Sequence, residues 1–140
     1  MKYLWLLLAL VLTCVIFINS SLPASESAKI SGWAAQIIDK FCVMLGIYFS
    51  GDTEYLLRKL AHFLEFTFLG LLWCKTFASF HVSNRAATGY ILFLCLFIAV
   101  VDEYIQLFSL GRSSLVRDIL LDFSGAFCAW LWYHIWQWCD

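Results

Sequence analysis

Arg58, Lys59, His62 and Glu65 stand inside "YLLRKLAHFLEFTFLGLLW", residues 55–73, a run otherwise apolar enough for the interior of a bilayer. An ionisable side chain at that depth is costly to desolvate, so its presence points to a site. Arg58, His62 and Glu65 fall at i, i+4 and i+7, one stripe of a helix. Two further stripes match it: Asp102 with Gln106, Glu103 beside them, and Asp118 with Asp122 and Gly125. Arg58, Lys59 and Arg112 suit phosphate or carboxylate groups. Gln106, Asp118 and Asp122 complete the expected ligand-binding set. Glu65, Asp102 and Glu103 would hold the cations and relay protons through His62.

The same residue types allow a second chemistry. His62 and Glu65 on one helix, facing Asp102 and Glu103 on another, supply acids and bases for phosphoester chemistry and the ligand types of a metal centre. These four are the catalytic candidates. The cations on the same stripe disfavour a metal unless an anionic substrate intervenes, and neither metal nor cofactor is expected. A third reading is an ion-pair network that only fixes helix register. Snorkelling to the headgroups accounts for Lys59 and Arg117. It does not account for Glu65, Asp102 and Glu103, whose side chains are too short. His81 falls in a loop, and His134, among Trp130, Trp132, Trp136 and Trp138, belongs to an aromatic interface belt.

Composition agrees with a membrane setting. Of 140 residues 63% are hydrophobic and 14% charged, with a mean hydropathy of +0.83, outside the range of soluble globular chains. Seven Trp suit the headgroup zone. A net charge of −1 offers no basic field, so no nucleic-acid partner is expected. The six Cys form no C-x-x-C pair and read as small buried hydrophobes.

Four apolar runs, 3–19, 60–80, 86–108 and 119–138, approach the roughly 20 residues needed to cross about 30 Å of hydrocarbon. The first, after a lone Lys2, could be a signal peptide. No clean small-x-small cleavage site follows it, so it is read as a retained helix. In 29–46, Ile30, Trp33, Ile37, Ile38, Phe41 and Leu45 recur at helical spacing, which predicts an amphipathic helix lying on the membrane surface. The expected fold is all-α: one domain over 1–140, four transmembrane helices in an antiparallel bundle, plus that interfacial helix. In such a bundle the start of the second run, the end of the third and the start of the fourth share one side. The helical rise of about 1.5 Å per residue then brings Glu65, Asp102 and Asp122 to a common depth.

"RKLAHFLEF" (58–66) with Leu69 and Gly70, then "DEYIQLFSLGRSSLVRDILLDFSG" (102–125), resembles the VanZ-like membrane family, whose pattern reads approximately R-K-x-A-H-F-x-E-Y, D-E-x-x-Q-x-F-x-P-G-R, then D, N and G. The likeness runs from residue 55 onward, and "FINSS" at the end of the first run also fits. Carried over by position, the signature residues are Arg58, Lys59, His62, Glu65, Asp102, Glu103, Gln106, Gly111, Arg112 and Asp118. Phe66 stands where Tyr is usual, Leu110 where Pro is, and Asp122 where Asn is. The name-giving member is associated with low-level teicoplanin resistance, so the resemblance implies a role in the bacterial cell envelope.

The expected location is the inner (cytoplasmic) membrane. Lys and Arg number six on the site side against three. Setting aside the four motif cations leaves two against three, which favours cytoplasmic termini and an outward-facing site. The expected partners are membrane lipid and an anionic amphiphile, a lipid-linked precursor or a glycopeptide antibiotic. The alternatives are an integral-membrane enzyme acting on a phospholipid or isoprenoid phosphate, and the structural ion-pair network.

Overall fold

The computed structural model describes residues 2–26 and 53–139, together with the isolated positions 29, 36, 37 and 40. The described residues contain four long helices and no strand: α1 (Lys2–Ser21), α2 (Thr53–Ser79), α3 (Asn84–Gln106) and α4 (Val116–Cys139). The amphipathic segment expected over 29–46 lies outside the described residues apart from the isolated ones. The helices match the four expected runs, with one shift. α2 begins at Thr53 rather than residue 60, so Tyr55, Arg58 and Lys59 are helical residues rather than an approach to one. Its 27 residues span about 40 Å, more than a hydrocarbon core needs.

Pairwise contacts fix the directions. Tyr3 meets Phe80 edge to face while Asn19 meets Glu65, so α1 and α2 are antiparallel. Thr88 bonds Trp130 while Asp102 and Asp122 both approach His62, so α3 and α4 are antiparallel. Lys59 with Asp118 and Gly70 with Ala126 make α2 and α4 parallel. The chain therefore runs up and down, and the C-terminal ends of α1 and α3 lie beside the N-terminal ends of α2 and α4.

α2 touches each of the other helices, and α4 is its closest neighbour. Small residues explain that closeness. A Cβ on Gly70 would lie 2.8 Å from the Ala126 carbonyl oxygen, and a Cβ on Gly125 would overlap the Phe63 carbonyl. Without side chains there the two backbones approach, a usual device where no hydrophobic effect drives helices together. Phe66, Leu69, Cys95, Ala99 and Ala126, fully buried, form the core with Ala9 and Ile16 of α1.

The outside is apolar. Leu7, Phe68, Phe93, Leu120 and Trp132 are exposed on the four helices, an arrangement that water would penalise and lipid would not. α1 and α3 are long and apolar enough to cross a membrane. α2 and α4 are long enough, but Arg58, Lys59, Glu65 and Lys75 on the one, with Arg117, Asp118 and Asp122 on the other, dilute their apolar character. Most of those diluting residues belong to the candidate site.

Candidate functional site

The parallel pair α2 and α4 sets the first wall. Because Gly125 fits against Phe63, the residues toward the N-terminal end of each helix face one another. Lys59 forms an ion pair with Asp118, and His62 Nδ1 lies 3.9 Å from Asp122 Oδ1. α3 contributes from the other side: Asp102 Oδ2 is 3.9 Å from the same His62 nitrogen and accepts a hydrogen bond from Gln106 Nε2 at 2.9 Å. That bond is the i, i+4 pair visible in the sequence.

The second wall is the loop 107–115 and the end of α1. The last carbonyls of a helix lack intrahelical partners and carry the negative end of its dipole. Here Arg112 Nη2 donates to the Asn19 carbonyl at 3.0 Å and Ser109 Oγ to the Ser20 carbonyl at 2.7 Å. The Ala24 amide donates to the Leu110 carbonyl at 3.0 Å, and Gly111, at a φ of 76°, makes the turn that presents Arg112. Glu103 accepts the Leu115 amide at 3.0 Å and so anchors the loop's far end.

Between these walls is a cavity of about 110 Å³. Arg58, Lys59, His62, Glu103, Gln106, Arg112, Asp118 and Asp122 line it, eight of the ten residues singled out in the sequence. Asp102 lies beneath, fully buried. Glu65 departs from expectation. It faces α1, where Asn19 Nδ2 approaches its carboxylate at 3.5 Å, and it is not among the lining residues. Asp102 and Glu103 act on the Arg112 charge without a close ion pair to it. Asp118 takes Lys59, while Glu103 and Asp102 are engaged by an amide and by Gln106.

That division leaves Arg58 and Arg112 without a carboxylate partner among the described side chains, whereas Arg117 Nε lies 3.8 Å from Asp118. Arg58 lies over the Tyr55 ring, 5.7 Å from its centroid, and Arg112 reaches a backbone carbonyl. Among the described side chains neither has a carboxylate within 4.0 Å. In the loop, burial and then the Arg58 charge lower the Arg112 pKa, with Asp102 and Glu103 opposing. Two like charges thus line one polar cavity, a setting that an anion would relieve.

The opposite shortage lies next to it. His62 Nδ1, Asp102 Oδ1 and Asp122 Oδ2 are buried without a hydrogen-bond partner. One ligand atom from each of these three residues can be chosen so that all lie within 4.8 Å of one another. Among the described residues these three could hold a metal ion, whereas the metal alternative weighed from the sequence drew on His62, Glu65, Asp102 and Glu103.

Sequence reasoning missed Asn19, Ser20 and Ser109. Ser20 is fully buried, 3.4 Å from Gln106 Nε2. The available signal was "FINSS", polar residues closing an apolar run.

No curated protein and no solved structure matches the chain. The model of the VanZ/LLP1 family matches residues 5–137, from the start of α1 nearly to the end of α4. The matched region takes in every residue of the cavity, and the chain belongs to the VanZ/LLP1 family.

Proposed function

We propose that this chain is a four-span protein of the bacterial inner membrane whose polar cavity binds the phosphate or carboxylate of an anionic amphiphile. A lipid-linked envelope precursor and a glycopeptide antibiotic both carry such groups, and a contribution to glycopeptide resistance would follow from capturing either. The observation that carries this reading is the pair Arg58 and Arg112, lining one cavity with no carboxylate partner among the described side chains. An anion bridging them would gain charge-assisted hydrogen bonds and remove their mutual repulsion. Lys59, held by Asp118, and Gln106 lie at its flanks. The termini are cytoplasmic and the cavity opens outward, so it meets the outer leaflet.

Ligand stabilisation tests the reading. Didecanoyl phosphatidic acid should raise the melting temperature of the detergent-purified chain, since a ligand that binds only the folded state stabilises by mass action. Didecanoyl phosphatidylcholine should not. Equal effects of the two lipids would reduce the cavity to a nonspecific lipid contact.

A second reading, an integral-membrane enzyme acting on a phosphoester, is favoured by His62, an imidazole beside two buried carboxylates at the same cavity. Conversion of a phospholipid or an isoprenoid phosphate to a product by the purified chain, abolished by His62→Gln, would replace binding with catalysis.

A further inference from the structure

We propose that His62, Asp102 and Asp122 bind one divalent transition-metal ion at the inner wall of the cavity, with Asp122 a donor that the metal alternative read from the sequence did not include. The donors come from three helices, α2, α3 and α4, and not from one acidic run. Asp102 and Asp122 are buried to 0% and 1% exposure, yet each keeps one carboxylate oxygen without a partner, and so does the His62 Nδ1 nitrogen. Orphaned buried polar atoms are rare because each costs its desolvation, and here the three residues that carry them can each bring a ligand atom within 4.8 Å of the other two.

The neighbouring cations do not supply the missing contacts. Lys59 is taken by Asp118 and Arg112 by the Asn19 carbonyl, while Gln106 donates to Asp102 Oδ2 and Ser20 Oγ and to neither orphaned oxygen. Two carboxylates and a neutral imidazole carry two negative charges, which a divalent ion offsets. Both His62 contacts measure 3.9 Å. Donor atoms in a tetrahedral site with bonds of about 2.05 Å lie about 3.3 Å apart. Binding an ion would close the His62 contacts by about half an ångström and draw together the two carboxylates, whose ligand atoms lie within 4.8 Å of each other.

The donor set selects the class of ion. One imidazole and two carboxylates suit Zn²⁺, Mn²⁺ or Fe²⁺, and without thiolate they do not suit Cu⁺. Gln106 donating to Asp102 is the kind of outer contact that orients a metal ligand. Three protein ligands leave a coordination position open. His62 and Asp122 line the same cavity as Arg58 and Arg112, so an anion there could meet the metal and a guanidinium together. This inference rests on the cluster alone and stands whether or not an amphiphile binds.

The test is a titration of the full chain, purified in detergent and stripped with a chelator, using Co²⁺ as spectroscopic probe and Zn²⁺ as competitor. One Co²⁺ per chain is expected, with visible d–d absorption and no thiolate charge-transfer band, displaced by one Zn²⁺. Asp122→Asn and His62→Gln should each weaken Zn²⁺ binding by about 100-fold or more. His134→Gln, at the opposite end of α4, should leave it unchanged. Wild-type binding weaker than about 100 µM, or stoichiometric binding that survives both substitutions, would overturn the site. If one variant fails to fold, the wild-type stoichiometry and the other variant decide. Phosphatidic acid stabilisation, read separately, distinguishes failure here from failure of the anion reading.

Discussion

Arg112 Nη2 donates to the Asn19 carbonyl at 3.0 Å, which ties the cavity-lining loop to the last turn of α1. The first helix is thereby part of the site and not only its anchor. Ser20 and Ser109 extend the same seam. Asn19→Ala should be mild, because the contact uses the backbone carbonyl, and it should cost only the Glu65 approach. Replacing residues 2–21 with an unrelated apolar helix should lower the melting temperature of the extracted protein by more than about 5 °C, since the Gln106, Ser109 and Arg112 contacts go together. A melt unchanged by that replacement would mean that α1 contributes only membrane attachment.

Gly125→Ala should destabilise by about 1–3 kcal/mol, because its methyl would overlap the Phe63 carbonyl and force α2 from α4. Gly89 is the control. Nothing lies within 4 Å of a Cβ built there, so Gly89→Ala should be neutral or slightly stabilising. Thermal melts of the two variants in one detergent make the comparison, and equal melts would refute the close α2–α4 contact.

Lys59→Ala should destabilise the bundle, though by less than the ~3–5 kcal/mol of a fully stranded buried charge, since it leaves the nearly buried Asp118 with only Arg117 Nε, 3.8 Å away. Much of that loss should return in Lys59→Ala/Asp118→Ala, which removes both charges. A double-mutant cycle on melting free energies measures the coupling. Additive losses would show that the pair does not stabilise the bundle.

Reporter fusions at His81 and at Asp140 should report one compartment, and a fusion at Gly111 the other. The helix directions require the first two to share an end of the bundle and the third to lie at the opposite end. Opposite signals at His81 and Asp140 would break the four-span topology.

The polar stripes were legible because helical periodicity is local. Asp102 and Gln106, four apart, do bond, and the ends of α1 and α3 do meet the starts of α2 and α4. Partner choice was not legible, because it depends on how each helix is rotated. Gly70 and Gly125 set the rotation of α2 against α4, which turns His62 to Asp122 and leaves Glu65 facing Asn19. The role of the α1 terminus was hidden for another reason. Its bonds use the Asn19 and Ser20 backbone carbonyls, which every residue type carries.

Native mass spectrometry of the purified chain with phosphatidic acid, comparing wild type with Arg58→Gln/Arg112→Gln, is the most direct test of the anion site. One lipid per wild-type chain is expected, and at least tenfold weaker retention in the double variant, since each lost charge-assisted hydrogen bond is worth about 1.5–3 kcal/mol. Equal retention by a double variant that is folded and monodisperse would contradict the assignment of the two guanidiniums to an anionic ligand.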